Sequence, residues 1–174
     1  MTVSDSHIVK AITGYLHRYP VEAAGLMPVY DAAHDHTAHG RCTHRDRCPL
    51  VVAVPILVDE RERVLGLLRP GGRPFADGPP VAGDRSLHAS ALRVLREYTG
   101  VEDVWTLPGT EEPLDIEVRA GCGRRLIGLR YLFRGHARML PAARLEGGGF
   151  HWLAMSEAGD RLAERLRPWL TSTP

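Results

Sequence analysis

The chain has 174 residues, 44% hydrophobic and 25% charged, with a formal net charge of +1. That length buries one good core, and the near-neutral balance gives no electrostatic reason to expect a nucleic-acid duplex or an anionic membrane as partner. No run reaches the roughly 20 apolar residues of a membrane span, no basic-then-apolar leader opens the chain, and three cysteines (Cys42, Cys48 and Cys122) give no disulfide framework. The expectation is a cytoplasmic protein with a small-molecule partner, its oligomeric state left open.

In chain order, Ile8, Val9, Ile12, Tyr15 and Leu16 follow a helical period, and Pro20 opens a second short apolar helix through Ala23, Ala24, Met27 and Tyr30. Asp31 to Arg47 is polar, histidine-rich and aperiodic, so it reads as a loop. Leu50 to Val58 is a continuous apolar run. The charged turn Asp59-Glu60-Arg61-Glu62 separates it from Val64, Leu65, Leu67 and Leu68, which predicts a hairpin. Pro70 to Pro80 is rich in glycine and proline and excludes a regular element.

Ser86 then caps a helix whose Leu87, Ala91 and Leu95, with Leu92 beside them, form one apolar stripe, and Thr99-Gly100 stops it. Arg93, Val94, Glu97 and Tyr98 fall off that stripe. Positions 94, 97 and 98 stand at i, i+3 and i+4 and share a face. Leu114, Ile116 and Val118 alternate with charged residues as a half-buried strand, and Ile127, Leu129, Tyr131 and Phe133 do so in the next one. Phe150 to Met155 reads as a last strand. Ser156 is expected to cap a closing helix with Leu162, Leu166 and Trp169 as its stripe and Pro168 weakening its end.

The stretch Gly78 to Val101 resembles the Nudix box, G-x5-E-x7-R-E-U-x-E-E-x-G-U, where U is aliphatic. Arg93, Leu95, Glu97, Gly100 and Val101 match, while Val94 and Tyr98 replace two helical glutamates. With one inserted residue, Gly78 takes the box glycine and Asp84 the loop glutamate; without it those places fall on Pro79 and Arg85. The resemblance implies an α/β Nudix-like α/β/α sandwich with a mixed β-sheet over residues 48–174. Residues 1–47 then form an N-terminal helical extension and a His/Cys-rich loop.

The resemblance also implies hydrolysis of a nucleoside diphosphate linked to another group, with Mg2+ or Mn2+ held by box carboxylates because negative charge builds on phosphoryl oxygens. Carried over residue by residue, it makes Glu97 a metal ligand, Arg93 the arginine that orients a box glutamate, and Asp84 the loop acid. Glu102, Asp103, Glu111, Glu112 and Glu117 are the acids outside the box that could complete the set. Val94 and Tyr98 make an apolar, aromatic wall that either seats an organic substrate or packs under a neighbouring loop.

A second constellation, His34, His36, His39, Cys42, His44 and Cys48, gathers zinc-type ligands, of which tetrahedral zinc would need four. Cys42 and Cys48 with His39 and His44 are the leading set. Three functions stay open: a divergent hydrolase or repurposed biosynthetic enzyme acting on a nucleoside-diphosphate-like or related small molecule, an inactive ligand-binding or regulatory module, and a zinc-dependent enzyme.

Overall fold

The sheet is organised around β1 (Leu50–Val58), whose Val52, Ala53, Val54, Ile56, Leu57 and Val58 are all buried, so both faces of the strand are covered. In the computed structural model residues 5–39, 49–67, 74–121, 124–141 and 149–170 are described. β1 turns through Asp59 into β2 (Val64–Leu67), its antiparallel partner. The fully buried Asp59 carboxylate closes that turn by accepting from the amides of Arg61 and Arg63 at 3.0 and 2.8 Å and from Arg63 Nε at 2.8 Å. β3 (Asp115–Gly121) and β4 (Arg124–Arg134) form the second antiparallel pair. β4 lies parallel to β1 in a register running from Leu50 against Leu126 to Val58 against Arg134, and β5 (Phe150–Leu153) adds to β2. The order β3-β4-β1-β2-β5 makes a mixed five-stranded sheet.

Strand periodicity splits the core into two layers. Odd-numbered positions of β1 and β4, including Ala53, Leu57, Ile127, Leu129, Tyr131 and Phe133, face three helices: α1 (Asp5–Arg18), α2 (Ala23–His39) and α3 (Leu87–Thr99). Even-numbered positions, including Val52, Val54, Ile56, Val58 and Leu132, face Leu162, Leu166 and Leu170 of α4 (Asp160–Leu170). The expected α/β/α sandwich is the observed architecture. Ile8, Ile12 and Tyr15 of α1 and Leu26, Val29 and Ala33 of α2 belong to the same cluster as α3 and the sheet.

A buried polar network ties these layers together. The Asp115 carboxylate, fully buried, accepts from Arg130 Nη1 at 2.7 Å, Arg161 Nε at 2.9 Å and the Tyr15 hydroxyl at 3.3 Å. The same hydroxyl donates to Glu22 at 2.8 Å, and Glu22 also accepts from Arg161 at 2.7 Å and pairs with Arg165. Burial, reinforced by the two carboxylates, pushes the Tyr15 phenol well above its ordinary range.

Two expectations are corrected. Asp31 to His39 is helix and not loop: Ala32, Ala33 and Ala38 favour the helix, Ala33 is buried, and Thr37 folds its hydroxyl back onto the Ala33 carbonyl at 2.9 Å. Ser156 lies in a single 3₁₀ turn, Met155–Glu157, and α4 starts only at Asp160, after Gly159 at φ 94°.

Candidate functional site

The box segment is held to the sheet by its first residue. Gly78 and Ala53 exchange backbone hydrogen bonds of 2.8 and 3.2 Å, which pins the loop before α3 beside the centre of β1. α3 then begins where Ser86 Oγ accepts from the Ala89 amide at 3.0 Å and ends at Gly100, φ 72°.

The residues matched to the box acids and arginine do converge. Arg93 Nε reaches Asp84 Oδ1 at 3.1 Å, its Nη1 reaches Glu97 Oε2 at 2.9 Å, and its Nη2 donates to the Pro79 carbonyl at 2.8 Å. Asp84 is buried and also accepts from the Val81 amide at 2.9 Å, so both of its oxygens are used. Burial alone would raise the Asp84 pKa; hydrogen bonds from Arg93, the Val81 amide and Ser90 outweigh it and hold the carboxyl below its ordinary value. Arg93 is held correspondingly above its ordinary range, chiefly by the bond to Asp84.

Val94 departs from the face assigned to it. It is 1% exposed, one of the buried residues of α3 with Leu87, Ala91 and Leu95, because it stands two turns beyond Leu87 on the stripe. A Cβ on Gly78 would come within 2.8 Å of Val94 Cγ2, so the closeness of loop and helix requires glycine there. Tyr98 is half-buried and packs against the same core cluster.

The implied divalent cation fails a test against this donor set. Hard cations take several oxygen ligands from one cradle. Here Asp84 is saturated by its own hydrogen bonds, Glu97 is paired with a guanidinium, and position 94 carries a methyl-bearing side chain packed on Gly78. Of the candidate acids outside the box, Glu102 pairs with Arg96, Glu112 with Arg18, and Glu117 with Arg130. Among the described residues no group of three or more His, Cys, Asp or Glu is placed to hold a metal ion. The described residues do not fit magnesium or manganese.

Of the zinc-type residues, His34 stacks on Tyr30 at 6.0 Å and His36 lies 4.0 Å from Asp5, both along α2. His39 is the last residue of that helix; its side chain, with Cys42, His44 and Cys48, lies outside the described residues.

A sizeable concavity lies elsewhere among the described residues. A cavity of about 680 Å³ opens between α1, the first turn of α3, the loop at 109–113 and α4, and neither Asp84, Arg93, Val94, Glu97 nor Tyr98 lines it. His88 forms part of its wall, its ring 4.8 Å from Phe133 and 5.7 Å from Tyr131. Burial holds the imidazole below its ordinary pKa, with the Glu111 charge opposing. The sequence marked Glu111 and Glu112 as candidate acids but carried no signal that Lys10, His88, Tyr131 and Trp169 would meet them, because five separate elements supply the walls.

No family model and no curated protein sequence matches the chain. Solved structures do. The crystal structure of Caenorhabditis elegans Ap4A hydrolase aligns with 70% of this chain and 96% of its own at 11% identity, with a TM-score of 0.52. The Nudix domain of Shewanella oneidensis NrtR, crystallised with ADP ribose, aligns with 79% of this chain and 97% of its own at 15% identity and a TM-score of 0.50. Longer NrtR, at 17% identity and a TM-score of 0.50, is covered over 63% of its length, and NrtR has also been crystallised with a 27mer DNA. The mixed sheet layered between helices, with α3 pinned to β1 through Gly78, is an α/β architecture shared with these structures. The chain has the fold of the Nudix hydrolases.

Proposed function

We propose that this chain is a Nudix-superfamily protein that binds a small organic molecule and does not hydrolyse a diphosphate through a box-bound cation. One observation carries the reading: Val94 is buried in the core where the box has a glutamate, which leaves Glu97 without that carboxylate beside it, and the loop acid Asp84 is buried against Arg93 at 3.1 Å. The box arginine has become the centre of an ion-pair cluster that fastens the loop at 79–84 to α3. The box keeps its structural half, glycine, arginine and helix stop, without a set of free carboxylates.

Ligand binding then falls to the 680 Å³ cavity, whose size suits a drug-sized molecule and whose walls are mostly apolar. Among the described residues no helix is long and apolar enough to cross a membrane. The experiment is a panel of Ap4A, ADP ribose and nucleotide sugars assayed for magnesium-dependent phosphate release with wild type and Glu97→Gln, alongside calorimetric binding. Binding without turnover in either protein is expected. Turnover in the wild type that disappears in Glu97→Gln would overturn the reading.

A further inference from the structure

Of the 22 lysines and arginines, Lys10 is the only lysine, and it lines the cavity. An ammonium is a compact point charge on a flexible stem, whereas guanidinium is a planar fork suited to bidentate pairing. Every other cationic side chain in the molecule is of the second kind. The Lys10 side chain makes no hydrogen bond or ion pair with a described residue, and it stands one turn from His7, which also lines the cavity, along α1.

The other charges at the rim are largely cancelled. Arg18 is paired with Glu112, whose carboxylate lies against α1 so closely that a Cβ on Gly14 would stand 3.1 Å from it. Glu111 accepts from the Gly109 amide at 3.1 Å. Lys10 is therefore the cation left to meet a ligand, with two carboxylates in the wall that oppose a polyanion. Trp169, Tyr131, His88, Leu87 and Pro113 also line the cavity. Aromatic side chains of this kind receive flat rings by stacked or edge-on contact.

We propose that this cavity binds a small aromatic molecule bearing a single negative charge, with its ring against Trp169, Tyr131 and His88 and its anionic group on Lys10. The anion-binding end of the site then comes from α1, in the segment that precedes the box residues. The proposal rests on the reading that the protein binds a small organic molecule.

A single lysine makes the test direct. Lys10 is acetylated with a water-soluble N-hydroxysuccinimide ester and its rate is read by mass spectrometry of the peptide that contains it. The probes are indole-3-acetate and 4-hydroxybenzoate, with cyclohexanecarboxylate as an anion without an aromatic ring and ADP ribose as a diphosphate. The aromatic acids are expected to slow the acetylation severalfold and to quench tryptophan fluorescence, the quenching being lost in Trp169→Leu. Lys10→Ala is expected to weaken their binding about tenfold, with Lys10→Arg intermediate. Unchanged acetylation with every probe, or stronger protection by ADP ribose than by the aromatic acids, overturns the proposal. Protection by an aromatic acid together with Glu97-dependent turnover of ADP ribose would sustain this site and overturn only the claim that the box is inactive.

Discussion

Replacing Arg93 separates a structural ion-pair cluster from a metal-binding site. Arg93→Met keeps the aliphatic stem and removes the guanidinium, which leaves Asp84, 6% exposed, without its partner and the Pro79 carbonyl without its donor. Breaking one side of a buried pair costs about 3–5 kcal/mol; Arg93 is a quarter exposed, so the lower end, about 3 kcal/mol, applies. At about 2–4 °C per kcal/mol for a chain of this size, the melting temperature should fall by about 6–12 °C. Glu97 is more than half exposed and one turn from Arg93, so Glu97→Gln should cost under about 0.5 kcal/mol. Adding Asp84→Asn to Arg93→Met should recover part of the loss, because the uncompensated charge is gone. Urea denaturation of the wild type, the two single variants and the double variant measures all three statements. A loss in Arg93→Met no larger than that in Glu97→Gln, or no recovery in the double variant, would refute the reasoning.

Gly78→Ala should destabilise by about 1–3 kcal/mol, since its new methyl meets Val94 at 2.8 Å; Val94→Ala should couple to it, the double variant losing less than the sum in urea melts. Tyr15→Phe removes the hydroxyl shared by Glu22 and Asp115 and should cost about 1 kcal/mol in the same assay, Asp115 keeping Arg130 and Arg161. His88 has its folded-state pKa below the unfolded value, so its contribution is complete above about pH 6.5 and is lost as the pH falls and the unfolded chain takes the proton first. A stability–pH curve for His88→Phe should therefore be flatter than wild type on that acidic limb, and an identical slope would count against the burial argument.

Much of the fold was legible because hydrophobic periodicity reports which face is buried. Leu50 to Val58 read as a continuous apolar strand and is β1, buried from Val52 onward, and the alternation from Ile127 to Phe133 names the layer facing α3. The helix boundaries Ser86 and Gly100 followed from capping chemistry. Tertiary context decided the rest. Asp31 to His39 lacks an apolar period yet is helical, since alanines propagate a turn begun upstream and only Ala33 needs burial. Val94 read as an apolar wall off the helix stripe because its matched position in the box is acidic, whereas its own spacing from Leu87 puts it in the core. The Arg93 cluster was half visible: the one-residue insertion that places Asp84 in the loop acid's position also puts it against Arg93. The cavity was not visible, because α1, α3, the loop at 109–113 and α4 are brought together only by the sheet and by the Asp115 network, which no local pattern encodes.

Manganese binding tests the central claim most directly. The free-ion paramagnetic resonance signal of Mn2+ is followed as protein is added, for the wild type and for Glu97→Gln. The same signal loss is expected in both proteins, because the buried Val94 leaves Glu97 without a neighbouring box carboxylate and Asp84 is buried against Arg93. A stoichiometric loss of signal in the wild type that is absent in Glu97→Gln would show a working metal site at the box and contradict it.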